Sequence, residues 1–431
     1  MDDHKLSTKI ALGLLPDWVN EILLKEKNNL IEEYCMYPDY YYDPHKYSRV
    51  QPFLFFFKGV PFHYLPRQQI IYDNWQVVYS GNKFCIKRIY QPKNEFYYFC
   101  IRAFRFYFKR IMKNLIENRI SEAAKFTGSF IHTLQDFCSN LHCLENPEGS
   151  DIFVLDRLIK PHGHDKYMTP SMILAKEYPF FLNIRKYRPF LLGTTQPEAI
   201  FHLYSRLVSK ITRIRFYLIP LVEGVYRNKK KQIQKNQSFI ILEGAKLVAD
   251  VLYTIFSLTF NRFKKNQVDV LKKIHLEEIS PIEKPYILSY PYRFTPIVNN
   301  FCLDMDRRFV PLQLKFPDGT VKTFRHGFGT GCHIEYDLVY DIPKNVFKNF
   351  QGNVGLHPIL GKNGKIKVEI SLNNKVFYHN EFGERKLADI FDVPILCGGK
   401  LKLTVRDRTG CWGSPDNNVV WAEPILIKNV V

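Results

Sequence analysis

The spacing of apolar residues changes once along this chain, and that change limits the fold more than any other feature. Through the first two-thirds they recur every three or four positions, as in "TKIALGLLPDWVNEILLKEKNNLIEEY", "FRFYFKRIMKNLIENRISEAAKF" and "SFIILEGAKLVADVLYTIFSL". That period builds one apolar face of an α-helix. "TTQPEAIFHLYSRLVSKITRIRFYLIPLVEGVY" reads as a further long helix, kinked or broken at Pro220. The polar, basic "YRNKKKQIQKNQ" reads as an exposed loop. "ISPIEKPYILSYPYRFTP" has four prolines and reads as an extended linker. After it the period falls to two in "KIKVEISL", "KVFYHNEF" and "KLKLTVRD", punctuated by Asn-Asn and Gly-Gly, the pattern of short antiparallel strands. The expectation is a multidomain chain. Residues 1–275 form an all-α domain, 276–296 a proline-rich linker and 297–431 an all-β sandwich.

At 431 residues the chain can fill two cores. A net charge of +19 favours anionic partners such as phosphate esters, nucleic acid or acidic membranes, though a solvated lysine-rich surface looks the same. No stretch reaches the roughly 18 apolar residues of a membrane helix; the run from Val248 to Phe260 is broken by Asp250. Nor does "MDDHKLSTK" resemble a signal peptide. The expected location is therefore cytoplasmic, or outside by another export route. Nine cysteines without C-x-x-C spacing indicate neither a disulfide framework nor a zinc ribbon, and read mostly as buried thiols.

In "SFIHTLQDFCSNLHCLEN", His132 and Asp136 lie four apart, on one face of a helix, and His142 follows. Two imidazoles and a carboxylate suit zinc, which takes nitrogen and oxygen donors. A lone histidine on an apolar helix is more often a satisfied core residue; the triple H-x-x-x-D-x-x-x-x-x-H is rarer by chance.

That pattern resembles the zinc-dependent phospholipase C family of alpha-toxin type, which shares its all-helical fold with the single-strand-specific zinc nucleases. The resemblance spans about residues 4–260. It rests on His4, on Tyr37-Pro38-Asp39 in "CMYPDYYYD", on His63 in "VPFHYLP" with His45 as rival, on "IHTLQDFCSNLH", and on His164 in "HGHDKYM". It implies one to three Zn²⁺ ions with His4, Asp39, His63, His132, Asp136, His142 and His164 as ligands. Asp39 would orient or deprotonate the attacking water, and Tyr40 would contact a choline ammonium through its ring. The implied activity is phosphodiester hydrolysis, with phospholipid or another phosphodiester as substrate and peripheral membrane contact. Single-stranded nucleic acid is the alternative substrate. Met168 stands where the family has a glutamate, so a second metal would need Glu145, Glu148 or Asp165, and an impaired binding protein that keeps the fold is a further alternative. The family's N-terminal tryptophan has no counterpart in Met1-Asp2-Asp3.

The second domain resembles the NPCBM module, a jelly-roll sandwich, through "HGFGTGCHIEYDL", "GNVGLHP" and "KLKLTVRDRTGCWGSPDNNVVWAEPIL". The resemblance implies glycan binding, with Trp412, Asp416, Asn417 and Asn418 as natural contacts and Trp421 in the core. A structural clip is the competing role. Glu198 and His202 are better read on a surface or interhelical face than as ligands. Arg102, Arg105, Lys109, Arg110 and Lys113 are better read as a solvated helix face than as a lipid or nucleic-acid contact.

Overall fold

The computed structural model describes residues 3–57, 60–61, 75–80, 83–88, 95–138, 187–283, 297–304, 306, 308–330, 335–384, 388–409 and 416–429. The chain divides into two compact units, Met1–Gln267 and Val268–Val431.

The first unit is mainly helical. Among the described residues its helices include α1 (Asp3–Leu14), α2 (Asp17–Leu23), α3 (Lys27–Glu32), α4 (Tyr37–Tyr40), α5 (Tyr47–Val50), α6 (Glu95–Ile116), α7 (Ile120–Phe137), α8 (Gln196–Arg215), α9 (Leu218–Tyr226) and α10 (Lys230–Phe260). Two short hairpins, β1 (Phe56–Phe57) with β2 (Val60–Pro61) and β3 (Trp75–Ser80) with β4 (Lys83–Arg88), accompany them. Breaks in the helical pattern have local causes. The first long segment stops at Leu14, ahead of Pro16. The α6–α7 joint turns on Asn118 at φ 55°, a left-handed conformation that asparagine tolerates. Pro220 does break its helix, but four residues upstream. The α8–α9 break falls at Phe216–Tyr217, where the ring would otherwise strike the carbonyl of residue i−4, and Pro220 sits in the first turn of α9.

One expectation is overturned. "YRNKKKQIQKNQ" is not a loop: only Arg227–Lys229 is, with Asn228 at φ 50°, and α10 starts at Lys230. Its polar residues mislead because Asn236 and Gln237 are buried beside Ile233. Asp250, which interrupts an apolar stretch, is fully buried in α10. It accepts from Tyr187 Oη (2.7 Å) and the Phe190 amide (2.6 Å) and pairs with Arg206 Nη2 (3.0 Å). α10 passes close to α1 and the end of α7 at Gly244, where a Cβ would lie 3.2 Å from Cys138 Cβ.

The second unit is a β-sandwich. One sheet runs β15 (Ala388–Pro394), β12 (Phe347–Leu356), β17 (Val419–Lys428), β10 (Gly327–Thr330), β6 (Val298–Asn299), and β5 (Lys273–His275) also pairs with β17. The other runs β11 (Tyr336–Ile342), β16 (Gly399–Asp407), β13 (Ile366–Leu372), β14 (Lys375–Phe382). A three-stranded sheet of β7 (Phe301–Leu303), β8 (Phe309–Lys315) and β9 (Val321–Phe324) completes the unit. All three period-two segments are strands, and the β13–β14 turn uses Asn373 and Asn374, both at positive φ, as a tight hairpin needs. Leu338, Tyr340, Val368, Ile370, Leu403, Phe350, Val354 and Trp421 are buried. The Trp421 indole donates to Tyr336 Oη at 2.8 Å.

The unit begins before the expected boundary at residue 275. Lys273–His275 is hydrogen-bonded to Ile425–Ile427, and Leu276–Glu278 is a 3₁₀ turn, so the first part of the expected linker 276–296 is structured; residues 284–296 lie outside the described residues. Among the described residues no helix is long and apolar enough to cross a membrane. Cys35, Cys100, Cys138 and Cys302 are buried free thiols and Cys397 is an exposed one.

Candidate metal centre

Three segments distant in sequence bring the candidate ligands together. α7 carries His132 and Asp136 on one face, four residues apart, with His132 Nε2 3.3 Å from Asp136 Oδ2. α1 supplies His4, whose Nε2 is 3.4 Å from Asp136 Oδ1 and whose ring stacks on His132 with centroids 3.8 Å apart. α4 supplies Asp39, whose Oδ1 is 3.4 Å from His132 Nε2.

Packing sets these positions. Gly128, one turn before His132, lets the backbone of Tyr34 approach so closely that a Cβ there would sit 2.4 Å from it. That contact delivers the Tyr34–Met36 turn to α7, and α4 follows it directly. Buried Tyr37, packed against Tyr34 and Phe53, anchors α4, while Asp39 on the same short helix remains half-exposed.

The hydrogen bonds around the imidazoles fix their tautomers. His132 Nδ1 donates to the Cys35 carbonyl at 2.7 Å, and His4 Nδ1 to Gln135 Oε1 at 2.8 Å. The Gln135 amide is turned that way because its Nε2 donates to Thr8 Oγ1 (2.9 Å) and the His4 carbonyl (3.3 Å). Each imidazole thus presents its Nε2 to carboxylates from a braced ring, the arrangement that orients metal-binding histidines. A neutral Nε2 and a carboxylate oxygen are both acceptors, so facing each other they need a proton or a cation between them. Tetrahedral zinc, with bonds of about 2.0–2.1 Å, separates its donors by roughly 3.3 Å, close to the spacings here. At His132, without metal, a proton takes that place. Burial alone would lower the His132 pKa, but the Asp136 and Asp39 carboxylates outweigh it and carry it up to about 9.

His4, Asp39, His132 and Asp136 are therefore brought together. His63, His142, His164 and Met168 lie outside the described residues, as do Glu145, Glu148 and Asp165. His45, the rival to His63, is exposed on a turn where its amide bonds Asp43. The Tyr40 ring already carries a cation, Lys46 Nζ, 4.2 Å from its centroid. Gln135, Thr8 and the Cys35 carbonyl escape sequence reasoning; the one trace is a glutamine beside Asp136 on an otherwise apolar helix.

Elsewhere, Glu198 and His202 are buried, which excludes the surface and leaves the interhelical face of the expectation. Glu198 caps α8, accepting from the Thr194 amide at 2.8 Å while its own amide donates to Thr195 Oγ1. Arg102, Arg105, Lys109, Arg110 and Lys113 are all exposed on α6. Of the expected glycan contacts, Trp412 lies outside the described residues. Asn417 and Asn418 are buried: Asn417 bonds the Lys365 amide and Asp407 Oδ1, and Asn418 the Leu360 carbonyl. Asp416 accepts from Asn363. These three side chains brace the loop before β17, because a chain entering a sheet here must satisfy its polar groups internally.

Residues 309–427 match the NPCBM/NEW2 domain family model. The chain is similar to the CBM51 from Clostridium perfringens GH95, solved in complex with methyl-galactose, with 18% identity and a TM-score of 0.29 over 36% of this chain and 99% of that one. It is also similar to alpha toxin from Clostridium absonum (11% identity, TM-score 0.33, 100% of this chain and 94% of that one). A third likeness is to Clostridium perfringens alpha-toxin from an avian strain (8% identity, TM-score 0.31, 99% and 97%). No curated protein matches the chain.

Proposed function

We propose that this chain is a zinc-dependent phosphodiester hydrolase of phospholipase C type, followed by a glycan-binding β unit. One observation carries the reading: His4, Asp39, His132 and Asp136 converge from three separate helices with their donor atoms 3.3–3.4 Å apart in successive pairs. His4, His132 and Asp136 fit zinc in donor type and mutual spacing, and Asp39 adds a carboxylate 3.4 Å from His132 Nε2.

In this reading His4, His132, Asp39 and Asp136 hold the ion. Bound there, zinc would supply Lewis acidity, bringing the pKa of water toward neutrality and offsetting charge on a phosphate. The chain's own residues do the rest. Asp136, only 2% exposed, faces both imidazoles and fixes their relative position. Asp39, at the open side of the cluster with 47% of its side chain exposed, is placed to orient or accept a proton from an incoming water. The Cys35 carbonyl and Gln135 hold protons on the two Nδ1 atoms, keeping both Nε2 lone pairs on the cluster. The NPCBM/NEW2 match supports glycan binding by the β unit.

The test pairs metal content with substrate. The full chain is stripped with chelator, reloaded with zinc, and assayed on phosphatidylcholine vesicles and single-stranded DNA. Phosphocholine release that disappears on stripping and returns with zinc is expected, as is its loss in Asp136→Asn. Nucleotide release alone would transfer the reading to the nuclease branch. A folded chain that binds less than one zinc overturns it.

A further inference from the structure

A second cluster lies within the β unit, where the order of the strands produces it. β5 and β10 lie end to end along the same side of β17: β5 pairs with Ile425–Ile427 and β10 with Val419–Ala422. Between them β17 is irregular. Its register against β12 shifts between Gln351 and Asn353, Glu423 has φ 50°, and Pro424 has no amide to donate. Gly352 opposite must be glycine, since a Cβ would lie 2.8 Å from the Glu423 carbonyl oxygen. At this bulge the end of β5, the turn after it and the start of β10 meet. They bring His275, Glu277 and His326 beside Glu423.

The donor atoms point at one another. Glu277 Oε1 is 3.3 Å from His326 Nδ1 and 3.8 Å from His275 Nδ1, and Glu423 Oε2 is 3.7 Å from His275 Nδ1. The two rings stack with centroids 4.0 Å apart. The Glu277 side chain is only 4% exposed, yet its Oε2 has no hydrogen-bond partner, and neither does the buried Nδ1 of His275. Separations of 3.7–3.8 Å are too long for hydrogen bonds, so the cluster leaves buried acceptors unsatisfied, which is costly. They are only slightly wider than the roughly 3.3 Å between donors on tetrahedral zinc. His326 and Glu423 are partly exposed and leave a way in.

We propose that His275, Glu277, His326 and Glu423 form a second divalent metal site of zinc class, clamping the β5 segment to the bulge of β17. Two imidazoles with two carboxylates favour zinc or cobalt over calcium, which takes oxygen. The site stands whether or not the helical unit binds metal.

Full-length wild type, His326→Ala and Glu423→Gln are stripped and titrated with Co²⁺ and Zn²⁺, scoring equivalents per chain, visible Co²⁺ absorption and the zinc-induced rise in melting temperature. His326 is half-exposed, so its truncation leaves the fold standing. The expected result is one equivalent fewer in His326→Ala and at least tenfold weaker binding of that equivalent in Glu423→Gln. Asp136→Asn serves as reference for the helical unit, and its loss must be separate from that of His326→Ala. If both β-unit variants hold as much metal as wild type, with the same affinity, the proposal is overturned.

Discussion

Gly128→Ala tests how the helical unit builds its centre. By helix propensity alone the change is favourable, worth about 1 kcal/mol in a helix interior. The structure reverses that sign. The new methyl would lie 2.4 Å from Tyr34, whereas ordinary contact begins at 3.4 Å, so the Tyr34–Met36 turn must retreat by about 1 Å. The same turn carries the Cys35 carbonyl, 2.7 Å from His132 Nδ1, and leads into α4 with Asp39. A retreat of that size stretches the bond to about 3.7 Å, beyond hydrogen-bonding range. Overpacking costs about 1–3 kcal/mol and the lost bond about 1. Set against the propensity gain, a net loss of about 1–3 kcal/mol is expected by urea unfolding. At the proposed zinc centre, loosening the brace on His132 and shifting Asp39 should weaken zinc about 10- to 100-fold in a competition assay. A variant as stable as wild type that holds zinc equally well would refute the claim that this close approach positions Asp39.

Asp250→Ala should cost about 2–4 kcal/mol in denaturant unfolding, because it removes the buried acceptor shared by Tyr187 Oη, the Phe190 amide and the partly exposed Arg206; a loss below about 1 kcal/mol would show the network to be dispensable. The β unit should weaken in mild acid through His357. Its buried Nδ1 accepts the Ile359 and Leu360 amides at 3.2 and 3.1 Å while Nε2 donates to the Pro311 carbonyl. Burial holds its pKa below the usual 6.5, so this stability is present above pH 6.5 and is lost as pH falls through the depressed value. Melting between pH 7.5 and 5 should show the slope, and His357→Asn, whose amide oxygen accepts at any pH, should flatten it.

Where one residue type answers to one local rule, the sequence could be read. Period-two segments became β13, β14 and β16, and the four-residue step from His132 to Asp136 placed both on one helix face. Tyr-Pro-Asp could be matched to that helix only through family resemblance, since nothing local says that Asp39 comes within 3.4 Å of His132. Readings based on polarity fared worse. Asn236, Gln237, Asn417 and Asn418 look like surface residues until their buried surroundings are seen. The His275 cluster was invisible for another reason: its members are joined by strand order and a bulge, neither of which leaves a sequence motif.

The pairing of β5 with β17 bears on how the second unit can be handled in isolation. A fragment cut at residue 297, where the composition suggests a clean start, would lack β5 and strip Ile425–Ile427 of their neighbour along that side. The open row of amides and carbonyls would then invite pairing with another copy. Clumping of such a fragment would reflect where it was severed, not an intrinsic tendency of the sandwich to self-associate.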